Sequence, residues 1–122
     1  KLEIVPDHKP YAEMRHDSEI AAFYRRNAEA LGRYFPEIPT EVLKRAAGST
    51  DMGNVSLAIP SIHPGIGIHS LPHVNHQPEF AAHCATEVAD RAVADGALAL
   101  AWTAIDAATD AGLVARLTGA AR

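Results

Sequence analysis

The chain has 122 residues, 48% of them hydrophobic but only 6% aromatic, and a net charge of −4 with histidine neutral. That length allows one domain at most, large enough to bury a core. No basic stripe is present and no apolar run reaches transmembrane length, so neither nucleic acid nor a membrane is expected as a partner. Cys84 is the only cysteine, which rules out an intramolecular disulfide and suits a reducing compartment. KLEIVPDHKP lacks the apolar region of a signal peptide, and the expected location is the cytoplasm.

Leu2, Ile4 and Val5 read as a short strand bounded by Pro6 and Pro10. In DSEIAAFYRRNAEALGRYF, Ile20, Phe23, Tyr24, Leu31 and Tyr34 share one helical face, and Arg25, Arg26, Glu29 and Arg33 lie mostly opposite. Asp17 or Ser18 caps this helix, Glu19 suits its first turn, and Pro36 and Pro39 end it. A short helix, EVLKRAA, follows Thr40 and stops at Gly48. Thr50 or Asp51 caps the next, with Met52, Val55 and Ile59 inward and Pro60 as its stop. SIHPGIGI reads as a strand, because Ile62, Ile66 and Ile68 alternate, although Pro64 keeps it from being fully paired.

From Pro78 onward the pattern is helical, with an apolar seam of Phe80, Cys84, Val88, Ala92, Leu98, Trp102 and Ile105. Gly96 marks a soft point, Cys84 reads as a buried small residue, and a second piece runs from Gly112 to Ala121.

Chemistry concentrates in residues 60–80, which hold His63, His69, His73 and His76. Neither HPGIGIH nor HVNH has the spacing of a closed zinc site, and no CxxC, HExxH or G-x-S-x-G occurs. GIGIHS lacks the third glycine and the helix of a dinucleotide fingerprint. By spacing alone each histidine reads as a loop or core residue before it reads as a ligand.

Three stretches carry a resemblance: GSTDMGNVSLAIPSIHPGIGI, then NHQPEFAAHCATE, then ALALAWTAIDAATD. Together they resemble the C-terminal end of an M20-family metallopeptidase, in the amidohydrolase branch of p-aminobenzoyl-glutamate hydrolases and aminoacylase-like dipeptidases. The resemblance implies an α/β fold: the C-terminal portion of a catalytic domain, helix-rich, with an incomplete sheet. Residues 1–14 would end a lid and dimerisation domain, and residues 15–122 would belong to the catalytic domain.

The same resemblance implies two divalent metals, zinc by preference, activating a water that attacks an amide carbonyl. The substrate would be a small N-acyl amino acid, a dipeptide or an aminobenzoyl-glutamate-like amide. Of the family's ligands only the late histidine maps here, to His76. Gln77 follows it where many relatives have Thr or Ser. Ser49, Thr50, Asp51, Asn54 and His63 would line the substrate cleft, with helix capping an equal reading for Thr50 and Asp51. The early His-x-Asp and the Glu-Glu pair are missing. The chain alone is therefore expected to hold no metal tightly and to be inactive. Its uncovered apolar faces predict a homo-oligomer, or association with the remainder of the enzyme. The other reading is a non-enzymatic helical module that oligomerises through its alanine-rich seam.

Overall fold

The computed structural model describes residue 3, residues 10–37 and residues 50–119. The strand expected over Leu2–Val5, the helix expected over 41–47, and Ser49 lie outside them. The chain divides into two compact units, Lys1–Asp17 with Glu37–His63, and Ser18–Pro36 with Pro64–Arg122.

The second unit holds helices α1 (Ser18–Ala30), α3 (Pro78–Cys84), α4 (Glu87–Thr109) and α5 (Ala111–Leu117). Helix α1 stops earlier than the prolines suggest. Gly32 adopts φ 83, its N–H donates to the Glu29 carbonyl (2.9 Å), and the Arg33 N–H donates to the Ala28 carbonyl (3.0 Å). That is a Schellman ending, and a left-handed residue there favours glycine. Tyr34 therefore falls beyond the helix and is exposed instead of lying on its apolar face.

Helix α4 is the centre of this unit, packing against α1, α3 and α5. Its buried residues are Ala89, Ala92, Ala99 and Thr103, and α1 buries Tyr24, Asn27 and Ala28. The expected seam is thus only partly the buried one. Ala92 is fully buried, whereas Val88, Leu98, Trp102 and Ile105 are exposed, as is Cys84. Alanine wins the interior because small side chains let two helix backbones approach closely, leaving no room for larger ones. Gly96 lies under the loop instead: a Cβ there would stand 3.4 Å from the Ile66 Cδ1.

Polar groups set the register of α1 on α4. Asn27 Nδ2 donates to Asp106 Oδ2 (2.8 Å) and Thr103 Oγ1 (3.3 Å), and Thr103 Oγ1 donates to the Ala99 carbonyl (2.6 Å). Arg26 reaches the same Asp106 oxygen at 3.0 Å, and Arg33 Nη2 reaches Asp95 Oδ2 at 2.7 Å. Residue numbers rise along one helix as their partners fall along the other, so the pair is antiparallel. The Asn27 hydrogen bond, helped by Arg26, holds the Asp106 carboxyl below its ordinary pKa, against a smaller opposing effect of desolvation.

The continuous helix expected from Pro78 is broken at Ala85 and Thr86. Thr86 makes the joint. Its Oγ1 donates to the His83 carbonyl (2.9 Å) and accepts from the Ala89 N–H (3.2 Å), closing α3 and capping α4 with one hydroxyl. Asp110 repeats the device for α5, where Oδ1 accepts from the Leu113 N–H at 2.8 Å. Helices α4 and α5 are bent by 88° across this break, and Leu113 is fully buried.

The first unit is built around α2 (Met52–Ala58). Its inward residues are Gly53 and Ser56, while Val55 and Ile59 are exposed. The reason is a backbone segment lying close on the helix: a Cβ on Gly53 would collide with the Ala12 carbonyl oxygen. Ala12 N donates to Asn54 Oδ1 (2.7 Å), Arg15 N to Ser56 Oγ (2.9 Å) and Asp17 N to the Ser61 carbonyl (2.9 Å). Side chains of α2 thus accept hydrogen bonds that a neighbouring strand would otherwise take. A single parallel bridge, His16 with Ser61, is the only β pairing among the described residues. Of residues 61–68, expected as a strand, only Ser61 is paired there.

Candidate functional site

The residues singled out by sequence fall in both units. Thr50, Asp51, Asn54 and His63 belong to the first and His76 to the second.

Thr50, Asp51 and Asn54 are gathered by the first turn of α2. Thr50 Oγ1 accepts from the Met52 N–H at 3.3 Å, a local turn bond. The Asp51 carbonyl accepts from Asn54 N at 2.9 Å, but its carboxylate makes no capping bond and is exposed. Asp51 therefore holds the N-cap position without a side-chain cap, Thr50 closes the turn before it, and the Asp51 carboxylate is exposed. Asn54 is committed differently: its amide oxygen is the acceptor that holds Ala12. His63 follows Ser61 by two residues and is exposed.

His76 is exposed and has φ 69, a left-handed conformation that side-chain-bearing residues adopt rarely and histidine more readily than most. It directly precedes Gln77, the N-cap residue of α3, and Pro78 at the first helical position. The loop is held by Gln77, whose Oε1 accepts from the Val74 N–H at 3.0 Å. His69, also left-handed at φ 57, is exposed, and His73 is half-buried. Its ring centroid stands 5.7 Å from that of His83.

Among the described residues no group of three or more His, Cys, Asp or Glu side chains is placed to hold a metal ion. His76 alone cannot hold a catalytic metal, since such centres draw on three protein ligands. The second unit also has an apolar cleft of about 490 Å³ lined by Tyr24, Arg33, Phe35, Ile66 and His69 among others. Of the histidines singled out by sequence only His69 lines it, and Thr50, Asp51, Asn54, His63 and His76 do not. Burial raises the Tyr24 pKa above its ordinary value, with nearby Arg33 opposing the shift.

The chain is similar to peptidase-type hydrolases. It is 32% identical over 107 residues to a mouse (Mus musculus) Xaa-Arg dipeptidase, covering 86% of the chain and 24% of that protein. It is 37% identical over 83 residues to the human (Homo sapiens) Xaa-Arg dipeptidase, covering 68% of the chain and 19% of that protein. The 86% match leaves too few residues uncovered at either end to omit positions 50–76, so it contains both the α2 turn and His76. The chain thus spans about a fifth to a quarter of the length of the curated relatives it matches. The similarity supports a relation to the M20 peptidases, without selecting a branch among them. No protein-family model and no solved structure matches the chain.

Proposed function

We propose that these residues form the C-terminal part of the catalytic domain of an M20-type amidohydrolase whose substrate is a dipeptide or similarly small amide. The observation that carries the reading is the 107-residue match to a dipeptidase, which runs through Thr50, Asp51, Asn54, His63 and His76. An α/β catalytic domain with an incomplete sheet here, and with residues 1–14 ending a lid, is part of the same proposal.

In this reading Asp51, Ser49 and His63 face the substrate, and His76 supplies one ligand to a divalent metal, zinc by preference. Asp51 and His63 are suited to that work because both are exposed. Asn54 and Thr50 shape the turn that presents Asp51, by holding Ala12 and by accepting from the Met52 N–H. The metal supplies a Lewis acid to an amide carbonyl when the ligand set is complete, and the described residues do not complete it. Most of the ligand set would come from the rest of a longer polypeptide. The exposed Val93, Leu98, Leu100, Trp102 and Ile105 of α4 fit that arrangement, because a helix apolar on most of its circumference is a buried helix in a larger fold.

The test is metal content and dipeptide turnover of the full-length polypeptide. His76→Ala should remove turnover and one metal equivalent with the far-UV circular dichroism unchanged, while His69→Ala leaves all three at parental values. The 122-residue chain by itself should show no turnover with added zinc. Equal, near-parental behaviour of the two variants would remove His76 from the site.

A further inference from the structure

His73 and His83 form a half-buried pair of ligand-type side chains that the proposed chemistry leaves unused. His73 sits in the loop before α3 and His83 in the last turn of that helix, with His76 between them in sequence. Their rings are tilted by 34° at a centroid separation of 5.7 Å, and neither imidazole has a hydrogen-bond partner among the described residues. A ring nitrogen lies about 1.1 Å from its centroid and a Zn–N bond is about 2.1 Å, so two imidazoles on one tetrahedral ion stand about 5 Å apart, centroid to centroid. The observed spacing exceeds this by a shift that small χ rotations supply. The backbone on each side is already fixed: His73 N donates to the Ser70 carbonyl at 2.8 Å, and the His83 carbonyl accepts from Thr86 Oγ1 at 2.9 Å.

We propose that His73 and His83 together bind a borderline divalent cation such as Zn²⁺ or Ni²⁺, with water completing its shell. The ion acts as a clip between the loop and α3. It closes a ten-residue loop and so restricts the segment that carries His76. The site is distinct from any centre to which His76 contributes, because it draws on neither that residue nor an acid. Two imidazoles suit these ions, whereas Mg²⁺ and Ca²⁺ prefer oxygen ligands.

Calorimetric titration of the 122-residue chain with ZnCl₂, and separately NiCl₂, tests the site. One ion per chain should bind, at least about tenfold more weakly in His73→Ala and in His83→Ala, with MgCl₂ giving no heat of binding. His69→Ala, His76→Ala and Cys84→Ser should bind as the parent does. Alanine is favoured inside a helix, so His83→Ala keeps its fold and its loss of binding reads on the ligand. Amide exchange over residues 70–77 should slow when the ion is added. No saturable binding, binding that survives both alanine variants, or equal weakening in His76→Ala or Cys84→Ser each overturn the proposal. So does binding without slowed exchange.

Discussion

Replacing Ala92 by leucine probes the claim that the buried face of α4 is packed as closely as alanine allows. Ala92 is completely buried, Ala28 and Ala99 are 1% exposed, and no larger apolar side chain of α4 is buried. Leucine adds three carbons at a position with no free surface, and must displace whatever packs there or adopt a poor rotamer. Overpacking of that kind costs about 1–3 kcal/mol, and a fully closed site belongs at the upper end. For a unit of this size the loss lowers Tm by about 10 °C or more. Ala101→Leu on the exposed side of the same helix is the control, since the helix-propensity difference between alanine and leucine is only a few tenths of a kcal/mol. The assay is urea unfolding followed by circular dichroism, with Trp102 fluorescence as a second probe. If Ala92→Leu unfolds at the same urea concentration as Ala101→Leu, the close-packed alanine interface is wrong.

Thr86→Ala removes the hydroxyl that both ends α3 and starts α4, and should cost about 1–2 kcal/mol in the same urea assay, where Thr86→Ser retains most of the stability. The Asp106 pKa is depressed in the folded state, so its contribution is present above the unfolded pKa and disappears as pH falls through the lower folded value. Below about pH 4 the parent should therefore lose stability more steeply than Asp106→Asn, and parallel acid limbs would show that the Asn27 and Arg26 contacts do not hold that carboxylate.

Sequence reading located helices where local signals are strong. The start of α1 near Ser18, Pro78 at the first position of α3, and α2 after Thr50 all follow from capping and proline chemistry. The end of α1 was misplaced because the prolines at 36 and 39 outweighed Gly32, the residue whose positive φ closes the helix. The break at Thr86 was hidden because apolar periodicity continues across it, and threonine is not a strong helix breaker. The buried face of α4 was misjudged for a physical reason. Hydrophobicity ranks Leu98 and Trp102 above alanine, but interhelical distance selects for volume.

The candidate site was legible only as a string of residue types. Nothing in HVNH marks His76 as left-handed, and nothing in its spacing brings His73 toward His83. Nor does any local pattern announce that Asn27 and Asp106 are partners, since 79 residues separate them.

Asn54 and Ser56 stand inside the stretch GNVS, in the segment proposed to border the substrate, yet their side chains hold the main chain of Ala12 and Arg15. A saturation screen scored by catalysis would rank both positions as essential, alongside any residue that meets the substrate. The two kinds of residue would separate under a different readout. Loss of Asn54 or Ser56 should free residues 12–15 to protease, whereas loss of a substrate contact should leave that segment as resistant as before. In this protein an apparent signature of chemistry is partly a fastening, whose partner lies some forty residues upstream.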